Sequence, residues 1–254
     1  MESREMDSPR QDLIEGRNAI REALRAERPI DKIYVNRGSD DPALGRIIRD
    51  ARAADIPVVE VDRRKLDEMS VTRSHQGVIG VAAAAAYSDL DDIFALAEER
   101  GEPPFIVCCD EISDVHNLGA IIRSAECAGA HGVIIPKRRS AGLTAVVGKT
   151  SAGALEYLPV ARVANIPSTL EALKKRGVWV YGAAAEGRAD MWKTDLTGPI
   201  CLVIGSEGDG LGRMVRQSCD ELVSIPMRGH VDSLNASCAA AILIYEVLRR
   251  RMGA

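Results

Sequence analysis

The 254-residue sequence predicts an α/β protein in two parts: a small sheet flanked by helices, then a larger, mostly parallel sheet covered on both faces. Three observations predict it. Short apolar segments bounded by Gly, Pro or Asp alternate with amphipathic stretches along nearly the whole chain. In the second part those apolar segments are almost continuous, as strands buried on both faces are. Between the parts, composition breaks abruptly at AAAAAYSDLDD (residues 82–92).

Taken in order, residues 1–11 are polar and without apolar periodicity, which reads as a frayed tail. The first domain, residues 12–84, is expected to run helix 18–26, strand 32–35, helix 42–54, strand 57–61, short helix 63–69 and strand 78–82. A linker and helix occupy residues 85–103, and GEPP (residues 101–104) closes that helix. The second domain, residues 104–254, opens with strand 105–110, helix 118–128 and strand 132–135. Strands at 158–160, 178–183, 200–204 and 222–225 follow, with helices between them. The last helix, about 235–251, sets Ala239, Ala240, Leu243, Ile244, Val247 and Leu248 on one face. No internal repeat is visible.

The chain is 46% hydrophobic, enough for a sizeable core. No run approaches the ~18 apolar residues of a membrane span, and the polar start lacks a signal peptide's apolar centre, so a soluble protein of the cytoplasm is expected. Six cysteines without a CxxC pair read as reduced and buried, and four histidines without HxxxH or HExxH spacing give no metal site. Net charge is −4, shared as −1 over residues 1–84 and −3 over the rest. Bulk electrostatics therefore offer polyanions nothing, and a nucleic-acid surface would have to be a local patch.

Three polar islands stand out against apolar surroundings: DEISDVHNLGAIIRS (residues 110–124), VIGSEGDGLG (residues 203–212) and IPMRGHVDSLNAS (residues 225–237). Each pairs glycines, which let a backbone approach a ligand, with recognition side chains: Asn117 and Arg123, then Glu207, then Ser233 and Asn235. Each also sits where a strand ends, the place where α/β sheets bind ligands. Simpler roles exist for all of them. The glycines of the second island also resemble the phosphate turn of a dinucleotide fold, although such a turn belongs after a first strand and here only one strand remains downstream. Ser233 or Asn235 is also a ready cap for the last helix. Arg123 is expected near a helix N-terminus, where the dipole disfavours a cation, so another partner would have to want it; a surface arginine is the plain alternative. In the first domain, RSHQGVIGVA (residues 73–82) carries a basic loop into a strand and fits a phosphate contact or a solvent-facing turn equally well.

In order, spacing and surroundings, the three islands resemble the motifs of the SpoU (TrmH) family of RNA ribose 2′-O-methyltransferases, of the SPOUT class. HGVIIPKRRSAGLTAVVGKTSAGALEYLPVARV (residues 131–163) and the SHQGVIGVA end of the first domain are similar to the RlmB-type subgroup, which methylates a guanosine ribose of 23S ribosomal RNA. The resemblance implies a SPOUT-type parallel sheet with a C-terminal trefoil knot, preceded by a small α/β substrate-binding domain like ribosomal protein L30e. It implies a homodimer, S-adenosylmethionine as methyl donor, ribosomal RNA as partner and no metal. Arg123 would be the catalytic arginine, with Asn117, Glu207, Ser233 and Asn235 as the other motif residues. The cofactor would lie against Ile204, Gly205 and Gly208, Ile225 and Met227, and Leu234 and Ala236. Two departures are visible: the family's usual Asp-Pro before the Asn is replaced by Asp114-Val115-His116-Asn117, which loosens the turn, and Arg228 stands where a small or apolar residue is usual.

Overall fold

The computed structural model describes residues 12–39, 41–187, 189–231 and 233–253. The tail expected over residues 1–11 lies outside them. The chain divides into two compact units, one running to Ala86 and taking in Gly142–Val146, the other made of Tyr87–Ala141 and the chain from Val147 on. That division falls two residues past the expected end of the first domain, and the helix of the expected linker groups with the second unit.

The first unit contains β1 (Leu13–Glu15), α1 (Arg17–Arg25), β2 (Ile30–Asn36), α2 (Pro42–Ala53), β3 (Val58–Val61), α3 (Arg63–Met69) and β4 (Val78–Ala82). The sheet order is β1-β4-β2-β3, with β2 and β3 parallel and β4 antiparallel to both its neighbours. Ile20, Ile33, Val35, Leu44, Ile47 and Val78 form its core. α2 begins where expected because Asp41 accepts a hydrogen bond from Ala43 N at 2.8 Å and Pro42 fills the first turn, where no N–H is needed. β1 was not expected: three residues are too few to show a period, and it exists because β4 offers a free edge.

β1 also organises the basic loop before β4. The Glu15 carboxylate accepts from Ser70 Oγ at 2.7 Å and Val71 N at 2.6 Å, and from the amide and hydroxyl of Thr72. Burial alone would raise this carboxyl, but the bonds from Thr72, Ser70 and Val71 outweigh it and hold it down at about 2, against an ordinary 4.5. A carboxylate depressed on folding stabilises fully above the unfolded value and loses that contribution as pH falls through the folded one. The melting temperature of the wild-type protein should therefore exceed that of Glu15→Gln at neutral pH, and the gap should close as pH drops from 4.5 towards 2. A gap constant across that window would show that the carboxylate is not what holds the loop. Within the loop His75 is turned inward, with Nε2 2.9 Å from Asp67 and Nδ1 accepting from Gly77 N at 3.0 Å, while Arg73 stays exposed.

The second unit contains α4 (Leu90–Arg100), β5 (Phe105–Cys109), α5 (Val115–Cys127), β6 (Gly132–Pro136), all but the first two residues of α6 (Ala145–Thr150), β7 (Val160–Val163), α7 (Ile166–Lys175), β8 (Trp179–Ala183), β9 (Ala189–Asp190), β10 (Ile200–Ile204), α8 (Arg213–Ser218), β11 (Glu221–Ser224) and α9 (Ala236–Arg251). Its seven strands are all parallel, in the order β7-β6-β5-β10-β8-β11-β9. β5 and β10, side by side at the centre, are buried at every residue, which explains their continuously apolar sequences. Ile106, Cys108, Ile134, Val180, Cys201 and Val203 fill the core beneath α7 and its Leu170 and Leu173.

Several local expectations are corrected. The strand expected at 158–160 is Val160–Val163, and that expected at 222–225 is Glu221–Ser224. α6 and β9 were not expected, being too short to carry a period. α5 begins at Val115, three residues before the expected start, because Asp114 caps it by accepting from Asn117 N at 2.8 Å. The same cap steadies the turn that lacks the family's proline, and it takes His116 into the helix. All six cysteines are free, but only Cys108, Cys109 and Cys201 are buried. Cys219 is half-buried, and Cys127 and Cys238 are exposed because helix phase, not neighbouring sequence, decides which way they point.

Candidate active site

The sheet order reverses between β5 and β10. Strands β6 and β7 build outward from β5, whereas β8, β11 and β9 lie beyond β10. Loops leaving the carboxyl ends of strands on either side of such a reversal diverge and leave a crevice. On the β10 side of that reversal a cavity of about 620 Å³ opens between the ends of β8 (Ala183), β10 (Ile204) and β11 (Val223) and the start of α9 (Asn235, Ala236).

The loop after β10 is shaped by its glycines. Ser206 and Gly210 exchange two backbone hydrogen bonds of 3.1 Å, folding residues 206–210 into a closed turn in which Gly208 and Gly210 take φ of 90° and 65°. Gly205 lies so close under this turn that a Cβ on it would stand 2.2 Å from the Gly210 carbonyl carbon. The far end of the loop is pinned by Asp110, the residue following β5, whose Oδ2 accepts from Gly212 N at 2.8 Å. Burial raises the Asp110 carboxyl, and the Gly212 amide partly offsets that.

Three side chains from three distant segments meet beside the cavity. Asn117 Nδ2 donates to Glu207 Oε1 at 3.0 Å, Asn235 Nδ2 donates to Asn117 Oδ1 at 3.0 Å, and the same Asn235 group also donates to Glu207 Oε1. Asn235 does a second job with its oxygen, which accepts from Ser237 N at 2.9 Å and Cys238 N at 3.2 Å and so caps α9. The capping and recognition roles open to Asn235 in the sequence are thus compatible, because an amide has two ends. α9 in turn packs on α5 and β10.

The expected residues are distributed as follows. Ile204, Gly205, Gly208, Ile225, Met227, Leu234 and Ala236 all line the cavity, as do Glu207, Ser233 and Asn235. Asn117, 9% exposed, lies behind Glu207 and Asn235 and is not a lining residue. Arg123 is six residues further along α5, about 120° around the helix from Asn117 at 100° per residue. It is exposed, and no hydrogen bond or ion pair from another described residue reaches it. Since α5 starts at Val115, Arg123 stands in the middle of the helix. The helix-dipole reason for expecting a partner falls away, and an exposed guanidinium to which no other described residue bonds takes its place.

Sequence reasoning missed the wall made by Ala183, Ala184, Ala185 and Glu186 after β8 and by Arg216, which Leu211 of the second island joins. Glu186 is ion-paired to Arg216 across 30 residues. Their one readable signal was position, just past a strand's carboxyl end.

Comparison with known proteins agrees with this architecture. The model of the SpoU rRNA Methylase family matches residues 104–245, and one for RNA 2′-O ribose methyltransferase substrate binding matches residues 13–88. A Bacillus subtilis protein named for the TrmH family of tRNA/rRNA methyltransferases, YacO, is 47% identical over 96% of this chain and 98% of its own. Among solved structures, the SpoU methyltransferase AviRb of Streptomyces viridochromogenes in complex with AdoMet has a TM-score of 0.62 at 28% identity, over 95% of this chain and 91% of that one. An AdoMet-bound rRNA methyltransferase of Sinorhizobium meliloti has a TM-score of 0.59 at 26% identity, over 95% and 88%. With one family model spanning the larger sheet and its crevice, another spanning the smaller unit, and a near-full-length relative at 47% identity, this chain belongs to the SpoU family of RNA 2′-O-methyltransferases.

Proposed function

We propose that the chain transfers a methyl group from S-adenosylmethionine to the ribose 2′-hydroxyl of a guanosine in 23S ribosomal RNA, acting in the cytoplasm as a homodimer. The observation that carries this reading is the Asn117–Glu207–Asn235 triangle, which fastens the helix bearing Arg123 to the rim of the glycine-bounded cavity. Ribosomal RNA is favoured by the RlmB-like stretches of the sequence and by a substrate-binding domain ahead of the catalytic half. A self-complementary partner is favoured by Ile242 and Tyr245 of α9, an apolar pair left 38% and 50% exposed one turn apart.

The cavity suits the cofactor. Ile204, Leu211, Ile225, Leu234 and Ala236 offer an apolar bed for an adenine ring, and Gly205 leaves the backbone bare beneath the turn. Glu207 and Asp209 put carboxylates beside a ligand that carries a sulfonium and an ammonium, while Glu186 is paired to Arg216. Bound there, S-adenosylmethionine would supply an electrophilic methyl group for the ribose 2′-oxygen.

The chain's own residues position and discharge. Arg123 holds the 2′-hydroxyl and a neighbouring phosphate in line; a guanidinium keeps its proton, so the hydroxyl proton leaves through the phosphate or water that Arg123 orients. Glu207 takes hydrogen bonds from both asparagines and keeps the glycine loop in register with α5. Ser233 closes the rim. Recognition of RNA over DNA follows from the accepting atom, which DNA lacks.

The test is transfer of labelled methyl to in-vitro-transcribed 23S rRNA, with the site mapped by resistance to alkaline cleavage. One protected linkage at a guanosine is the expected result. Transfer only to tRNA, which the naming of the relatives also encompasses, would move the target while keeping the chemistry. No transfer to either RNA would refute the reading.

A further inference from the structure

We propose that the loop after β6, residues 137–140, is a phosphate-binding element that grips the RNA backbone beside the target ribose, with Arg138 as its main contact. This rests on the RNA methyltransferase reading above and assigns that reaction a substrate-binding surface outside the motif residues.

The chain is acidic overall, so RNA must be held by local cations. Lys137, Arg138 and Arg139 are three consecutive cations directly after β6, and β6 runs parallel and in register beside β5. They therefore emerge next to the loop that starts at Asp110 and leads into α5. The two loops are bonded together. Ala141 N donates to the Ile112 carbonyl at 2.8 Å, Ser140 Oγ donates to the same carbonyl at 3.1 Å, and Arg139 Nη1 donates to Glu111 Oε1 at 3.3 Å.

Both members of that ion pair hold left-handed backbone, with φ of 56° at Glu111 and 58° at Arg139. Side-chain-bearing residues use this region sparingly, and here it turns both segments where the two loops meet. Together with the three bonds it sets the course of the loop that carries Arg138. Arg138 is exposed, and no other described residue bonds or pairs with it. Arg139 is 79% exposed at its side chain, with a single nitrogen committed to Glu111. A forked, weakly hydrated cation held out on a braced loop at the carboxyl edge of the sheet fits an oxyanion, and the polyanion this family acts on is RNA. Since the brace runs to the segment that begins α5, the phosphate held by Arg138 keeps a set distance from the ribose presented to Arg123.

The experiment measures binding of 23S rRNA across a salt series, with steady-state methyl transfer, for the wild type, Arg138→Ala and Arg138→Lys. Melting temperature and S-adenosylmethionine affinity serve as controls and should not move. Arg138→Ala should bind RNA roughly ten-fold more weakly at physiological salt and raise KM for RNA about as much, with kcat nearly unchanged. Its plot of log K against log salt should flatten by about 0.7 to 0.9, one phosphate's worth, and Arg138→Lys should recover that slope because the charge returns. A wild-type slope and KM in Arg138→Ala, from a preparation that methylates RNA, would overturn the proposal and leave the enzymatic reading intact. A fall in kcat at unchanged KM would overturn it too. An Arg138-dependent slope in a protein that transfers no methyl would keep the phosphate element and sink the enzymatic reading.

Discussion

Replacing Arg123 by alanine is expected to lower the rate of methyl transfer at least ~100-fold, the usual size of losing a positioned proton-transfer or charge-stabilising group, while S-adenosylmethionine binds as before. The separation follows from geometry. Arg123 does not line the cavity, and among the described residues it bonds to nothing, so its removal breaks no network in the folded chain. Its neighbours Leu118, Ile121, Ile122 and Ala125 carry the packing of α5, and they are untouched. The chemistry is affected because the guanidinium holds hydroxyl and phosphate at once with a planar fork, which the point charge of Arg123→Lys reproduces poorly. Single-turnover transfer with cofactor and RNA saturating, beside calorimetric cofactor binding, reads the two effects apart. Equal loss of both would refute the assigned role and make Arg123 a structural residue of α5.

Gly205→Ala is expected to weaken S-adenosylmethionine binding ~100-fold while the protein stays folded. The new Cβ would meet backbone atoms, at 2.2 Å from the Gly210 carbonyl carbon and 2.5 Å from Leu211 N, and backbone cannot swing aside as a flexible side chain can. The turn above it is also closed by the Ser206–Gly210 pair and anchored through Gly212 to Asp110, so relief requires moving the whole loop. Overpacking of this kind costs about 1–3 kcal/mol, and here it falls on the loop proposed to hold the cofactor. Gly198→Ala is the control, because a Cβ there meets nothing within 4 Å, and it should bind the cofactor like the wild type. Undiminished affinity in Gly205→Ala would show that the loop is not the cofactor's cradle.

The sequence by itself determined the alternation that makes both sheets, since a strand buried on both faces must be apolar throughout and β5 and β10 are. The residues that bound the cavity on the β10 and α9 sides were legible through the resemblance of the three islands to the SpoU motifs, since glycines and caps after buried strands have simpler uses as well. Short-range events escaped it where two local choices compete, as at α5, where Asp114 captured the helix start three residues early. The exposure of Cys127 and Cys238 escaped it for a related reason: helix phase is set by packing, and both lie in segments apolar enough to suggest burial.

Only the tertiary structure decided that the three motifs form one object. The bonds that unite Asn117, Glu207 and Asn235 span 90, 118 and 28 residues. No pattern of neighbours encodes them, for they depend on β10 inserting between β5 and β8 and on α9 packing against α5. The same holds for Glu186 and Arg216 on the cavity's far wall, and for the pairing of Glu111 with Arg139 across 28 residues. Local periodicity fixes which segments become strands and helices; which side chains then face one another is set by strand order, a property of the whole sheet.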